Sequence, residues 1–352
     1  MPFTAQEISE AGKIGLDHYL KNNPVDQVAV ERVFYKTLMA NKRQAPGAKQ
    51  YIVEQLRYRY MSNFQWFNGS QTVTYNRRTT VEQAQYAWRS AHDGVSLDED
   101  RMIQNGITVS DSGPGGNSSD AEMLQLTSLL EESMEVLRLG FEEQFSYQTH
   151  LDGSVGGTDS VMGLDGLVSL TPTSGTVGTI DRATPANAYW RNNASTGLTT
   201  TTTTGTIITG METTWRACSR NGGKPNKIIC GSTFIDGYRD FNLTTYGNVY
   251  HGASGERIVE GGTKTITFHG VEMEWAPEFA DLDALYAPGT AWEKRCYFLN
   301  TKHMKLRPMQ GQDMVSRKPP RPYDRYEWYW AITWRGGITM NRSNAQAVLT
   351  VA

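Results

Sequence analysis

The sequence predicts an α+β protein made of unequal parts, and three patterns carry that prediction. A single long amphipathic helix pattern runs over 119–146, short apolar strand patterns interleave with helices beyond Ile207, and residues 1–60 have too little packing power to close a core of their own. A chain of 352 residues with 38% hydrophobic content has room for two or three lobes with cores, interrupted by much polar loop.

Residues 1–60 read as an arm. Ile8, Ile14, Leu16 and Leu20 give 5–20 one loose apolar face, and Asn22-Asn23-Pro24 ends it because proline disfavours helical geometry in the residue before it. Val28, Val30, Val33, Phe34 and Leu38 predict a second helix, broken at Ala45-Pro46-Gly47, with helix resuming through Tyr51, Ile52 and Leu56. A segment with this little packing power docks elsewhere. Residues 61–110 read as an extended two-stranded loop. Phe64 to Tyr75 is aromatic and β-branched with Asn68-Gly69 as a turn signal, and 83–89 returns with Tyr86 and Trp88. Asp93-Gly94 marks a further turn before a strand pattern over 103–109. Isolated hairpins are marginally stable in water, so this one needs a neighbour to lie on.

Residues 111–150 hold the clearest helix. After the Gly113-Pro114-Gly115-Gly116 punctuation, Ser119-Asp120-Ala121-Glu122 fits a capping box, in which the hydroxyl accepts an N3 amide and the glutamate reaches back. Met123, Leu126, Leu130, Met134, Leu137, Phe141 and Phe145 then recur at steps of three and four, with Glu131, Glu132, Glu135, Glu142 and Glu143 on the other face. Residues 151–205 are rich in Gly, Thr and Ser, a composition of surface loop and edge strand rather than core. Beyond them come helices near 211–219 and 233–241, a buried strand at 227–231, and a strand–turn–strand unit over 263–275 around His269-Gly270. Strands follow at 296–300 and 304–307, and 326–340 with 345–351 reads as strands joined by Gly336-Gly337.

Charge is segregated. The net charge is −3, but residues 1–110 sum to +2, 111–301 to −11 and 302–352 to +6. A subunit whose ends lie on the acidic middle of its neighbours gains complementary, salt-sensitive contacts, although the same clustering also arises within one monomer. No apolar run is long enough to cross a bilayer, and the first residues lack the basic and apolar regions of a signal peptide. Cys218, Cys230 and Cys296 lie far apart and read as reduced thiols.

Catalytic constellations are weak. The glycine-rich segment at 113–116 lacks the Lys-Ser/Thr ending of a phosphate-binding loop. The six histidines show no metal-ligand spacing, so no metal or cofactor is expected. No cysteine has an activating context, and the acidic helix face reads as solvated. Arg317-Lys318-Pro319-Pro320-Arg321 with Tyr326, Trp328 and Trp330 resembles a single-strand stacking platform, but the aromatic alternation fits a packed strand better.

This order of parts, together with Asn226 to Ile235, Phe268 to Trp275 and Cys296 to Leu306, resembles the major capsid proteins of tailed double-stranded-DNA phages, the Hong Kong 97-type fold. The resemblance covers nearly the whole chain. It implies an N-terminal arm (1–60), an extended loop (61–110), a peripheral domain with a spine helix (111–150), an axial α/β domain (151–293) and peripheral return strands (294–352). The implied role is a non-enzymatic shell subunit forming pentamers and hexamers around double-stranded DNA bound without sequence specificity. An encapsulin-like compartment shell is the alternative on the same fold. Expected partners are a portal, a decoration or cement protein and a scaffolding protein encoded separately, since the arm is too short to contain a cleaved scaffold; no membrane is involved. Expected inter-subunit contacts on the loop are Trp66, Tyr75, Arg77, Arg78, Tyr86 and Trp88. Some shells of this family are locked by a loop lysine that attacks an asparagine of another subunit. No lysine lies between Lys49 and Lys224 here, and the guanidinium groups of Arg77 and Arg78 stay protonated and cannot replace the amine.

Overall fold

The computed structural model describes residues 30–47, 49–98, 100, 120–154, 159–201, 205–220, 222–246, 266–317 and 327–352. The helix expected over 5–20, the glycine-rich segment at 113–116, the strand expected over 103–109 and the basic residues at 318–321 lie outside them. The described chain begins with α1 (Val33–Ala40), β1 (Tyr51–Arg57), β2 (Val81–Ala87), β3 (Arg89–Asp98) and the long α2 (Asp120–His150). A two-residue hairpin, β4 (Thr176–Val177) and β5 (Ile180–Asp181), precedes β6 (Asn193–Leu198). Then come α3 (Ile207–Ser219), β7 (Lys227–Cys230), α4 (Ser232–Tyr246), β8 (Ile266–Phe268), β9 (Val271–Trp275) and α5 (Glu278–Tyr286). The chain finishes with β10 (Arg295–Leu299), β11 (Met304–Pro308), β12 (Val315–Arg317), β13 (Glu327–Met340) and β14 (Ala347–Val351). The contacts divide into two units. One holds 1–30, 93–140 and 317–331, and the other holds 31–92, 141–316 and 332–352.

The larger unit is organised by a six-stranded sheet in the order β6-β14-β10-β7-β9-β8. β7 runs parallel to β9, and β14 runs parallel to β6 and antiparallel to β10. Its central strands are buried on both faces, which is why 227–230 and 295–299 read as continuous apolar runs. Ile228, Cys230, Cys296, Phe298 and Leu349 meet α3 and α4, whose Ile207, Met211, Trp215, Phe234 and Tyr238 complete one core. The α3 pattern of Ile207, Met211, Thr214, Trp215 and Cys218 is a helical stripe at steps of three and four. On the other face Tyr297 packs near Phe279 of α5 and Trp292. Each large apolar side chain so buried contributes on the order of 1.5–3 kcal/mol. The Gly/Thr/Ser-rich segment supplies β6, an edge strand, but it also buries Leu164, Leu167 and Trp190.

Helix α2 spans 31 residues, about 46 Å at 1.5 Å per residue. Among its described side chains Leu137, Phe141 and Phe145 are buried and Glu135 is exposed, as the periodicity requires. Phe145 packs against Trp334 of β13 and edge-on to Tyr35 of α1.

Four expectations need correction. Residues 51–57 form a strand, not a helix, and pair with 81–87 from Tyr51↔Ala87 to Arg57↔Val81. The buried pair Ile52 and Leu56 is spaced by four, which suits one helical turn and one strand face equally, and the partner strand decides. The extended loop therefore begins before residue 61, with its first strand inside the expected arm. Asp93-Gly94 is no turn but lies within β3, which pairs with β13. The segment after 294 is not one set of return strands: β10 and β14 belong to the six-stranded sheet, whereas β11, β12 and β13 form another sheet with β3. Finally, Gly336-Gly337 sits inside β13. A Cβ at Gly336 would lie 2.6 Å from the Trp334 ring and 2.7 Å from the Arg307 carbonyl, so glycine serves close packing there and not a turn.

Candidate assembly surface

The β1–β2 ladder ends with the Tyr58 amide donating to the Thr80 carbonyl at 3.2 Å. Beyond it, 59–79 forms no strand. At the far end the Gln71 amide donates to the Asn68 carbonyl at 2.8 Å, so Asn68-Gly69 does make the expected turn. Between turn and ladder, side-chain amides replace the backbone pairing: Asn63 donates to the Thr74 carbonyl and Gln65 to the Thr74 hydroxyl. The aromatic residues of this segment point into solvent, with Trp66 89% and Tyr75 91% exposed and Tyr60, Phe64 and Phe67 between 68% and 78%. Covering each would contribute on the order of 1.5–3 kcal/mol, and one copy leaves that unused.

Of the six residues expected to make contacts, Trp66, Tyr75, Arg77 and Arg78 are exposed on this segment. Tyr86 and Trp88 are not. Strand alternation turns Ala84 and Tyr86 inward, and the Tyr86 hydroxyl donates to the Met340 carbonyl at 2.7 Å. Burial raises this phenol well above its usual range, so it stays a donor. Trp88 is half-buried, its indole N–H donating to the Lys49 carbonyl at 2.9 Å. Tyr86 thus ties the hairpin to the subunit's own core, which takes it out of an outward-facing contact set, whereas the Trp88 bond lies at the hairpin's base beside exposed Lys49. The sequence expectation omitted Tyr60, Phe64 and Phe67, although the same aromatic run signals them. At the root of the loop the Tyr58 ring lies 5.2 Å from Tyr189, whose hydroxyl bonds Glu82.

Several buried polar groups bond to one another across elements of the fold. Glu278, in the first turn of α5, is fully buried. It accepts from Ser146 Oγ at 2.9 Å and from the Phe34 amide at 3.3 Å, with His150 Nε2 at 3.2 Å. Burial alone would raise its carboxyl, but His150, Ser146 and the Phe34 amide outweigh that and hold it below the usual carboxylate range. Phe34, Phe279 and Trp292 surround the His150 ring, with ring centroids 5.0–5.8 Å away. Arg295 pairs with Asp165 at 2.9 Å and lies over Trp292. Burial pushes the Cys218 thiol up to about 12, and burial with the neighbouring Cys230 raises Cys296 well above its usual value, so neither supplies a thiolate near neutral pH. Among the described residues no group of three or more His, Cys, Asp or Glu is placed to hold a metal ion, and no helix is long and apolar enough to cross a membrane.

Solved capsid structures share this mixed helix-and-sheet fold over nearly the full chain. The capsid of Myoviridae phage XM1 aligns with a TM-score of 0.56 at 11% identity, covering 94% of this chain and 95% of that one. The cyanophage A-1(L) capsid aligns at 0.54 and 12% identity over 93% and 94% of the two chains. The capsid of a native GTA particle aligns at 0.52 and 10% identity over 94% and 95%. No family model and no curated protein sequence matches the chain.

Proposed function

We propose that this protein is a shell-building subunit that self-associates into an icosahedral capsid around phage double-stranded DNA. The observation that carries the reading is the loop over 59–79, which holds five aromatic side chains in water on a fold matched end to end by capsid chains. Such a surface makes sense on a subunit surrounded by copies of itself, where it is covered on assembly. The role is structural, with DNA held by its charge and not by sequence. Pentamers and hexamers, a portal, a separately encoded scaffolding protein and a decoration protein complete the proposed assembly, put together in the host cytoplasm. Expression alone and with neighbouring open reading frames, followed by sedimentation and negative-stain microscopy, tests the reading. Closed shells or their ring-shaped precursors are expected. A monodisperse 39.3 kDa monomer under every condition would sink it.

A further inference from the structure

Below the root of the loop lies a groove of about 910 Å³, contained within the larger unit. Arg57, Arg191, Arg220, Arg342 and His303 line it, and none of its lining residues is Asp or Glu. Arg57 and Arg220 are exposed and make no ion pair among the described residues. Arg191 is held in place by donating to the Arg182, Ala183 and Thr184 carbonyls. Burial, and the cations Arg342, Lys305 and Lys302, hold His303 below its usual value against the Asn341 side chain that accepts from it, consistent with a positive potential.

The groove also holds orphan acceptors. Asn192 is 4% exposed, and its amide donates to the Ser169 and Asn193 carbonyls at 2.8 and 3.1 Å, but its Oδ1 has no partner among the described residues. The buried Oδ1 of Asn344 has none either. Guanidinium groups call for anions, whereas these two oxygens call for N–H donors, because a buried acceptor left unpaired destabilises the fold. A phosphodiester backbone offers anions and no N–H. An acidic peptide segment offers both. The chain contains one run of three consecutive acidic residues, Asp98-Glu99-Asp100, where β3 ends, and Asp100 is exposed.

We infer that this groove receives the Asp98-Glu99-Asp100 segment of a second copy, forming a charged inter-subunit contact distinct from the aromatic loop. The inference rests on the shell reading above. Two charge reversals test it: R57E/R220E in the groove and D98K/E99K/D100K in the acidic run. Each alone should lower the assembled fraction on the order of tenfold, because like charges then face each other. Coexpression should restore assembly, since each variant's groove then matches the other's run, and only a contact between copies can be rescued by mixing. Either variant assembling like the wild type overturns the inference, as does coexpression without rescue. So do R57E/R220E shells that form normally but retain less nucleic acid, which would make the groove a phosphate site. If circular dichroism shows the reversed chains poorly folded, the neutral R57Q/R220Q variant decides: shells with a flatter salt dependence than wild type support the contact, and an unchanged dependence overturns it. Wild-type chains that never assemble overturn the shell reading itself, a result distinct from wild-type shells with failed rescue.

Discussion

Strands β7 and β10 and the loop over 59–79 use apolar side chains in opposite ways. In the strand pair Ile228, Ile229, Cys230, Cys296, Tyr297 and Phe298 are all fully buried, covered by α3 and α4 on one face and by α5 and Trp292 on the other. In the loop Trp66 and Tyr75 stand almost wholly in water, and polar side chains substitute for a backbone ladder. The first region reaches its stable packing within one copy. The second has the composition of an interior and the environment of a surface, so on the proposed shell reading its missing half comes from a neighbouring copy. Stability and assembly are therefore separable in this molecule, and mutations should sort by region.

The sharpest break should come in the core. Glu278→Ala leaves the His150 ring enclosed without its carboxylate and should cost about 3–5 kcal/mol in denaturant unfolding. Because the folded Glu278 carboxyl lies below its unfolded value of about 4.3, its contribution is fully present above that pH and is lost as pH falls through the folded value. Wild-type stability should therefore decline on acidification with a component that Glu278→Gln removes. Next in size, Gly336→Ala drives a methyl group into Trp334 and the Arg307 carbonyl and should cost about 1–3 kcal/mol, read as a lowered midpoint with an unchanged slope. Smaller still, W66S/Y75S should change the stability of the unassembled subunit by no more than about 0.5 kcal/mol while reducing the yield of shells. A large loss of subunit stability there would erase the distinction between the regions. The smallest effect expected is none at all: with no lysine between Lys49 and Lys224, boiling particles in denaturing detergent should release a single band at 39.3 kDa. A ladder resistant to reducing agent would contradict this.

The elements that were legible in the sequence are those whose partners are close in the chain or whose pattern admits one period. Helix α2, the α3–β7–α4 run and the β8–β9 hairpin around His269-Gly270 all lie near their expected positions. The failures have a common cause. Ile52 and Leu56 satisfy helix and strand alike until β2 pairs with them, Gly336-Gly337 looks like a turn until the neighbouring backbone of β11 is seen, and β10 and β14 look like continuations of the β11–β13 sheet until their own partners appear. In each case a distant segment decides, and local pattern carries no information about it. For the contact surface, aromatic content identified the segment but could not tell Trp66 and Tyr75, beyond the ladder, from Tyr86, inside it. The groove was illegible because Arg57, Arg191, Arg220 and Arg342 come from four separate stretches of chain.

The position of β14 has a consequence for how the protein is made. It lies between β6 and β10, parallel to one and antiparallel to the other, yet it is translated after both. While the ribosome is still synthesising the residues before Ala347, the nascent sheet has a vacant lane in its interior, with unpaired amides and carbonyls along β6 and β10. Joining β6 to β14 closes a long loop of intervening chain, which makes this a slow, late step. The six-stranded sheet is therefore completed only after its last strand in chain order, Ala347–Val351, has been made. Vectorial synthesis thus leaves the inner lane of this sheet to be filled last of its six strands.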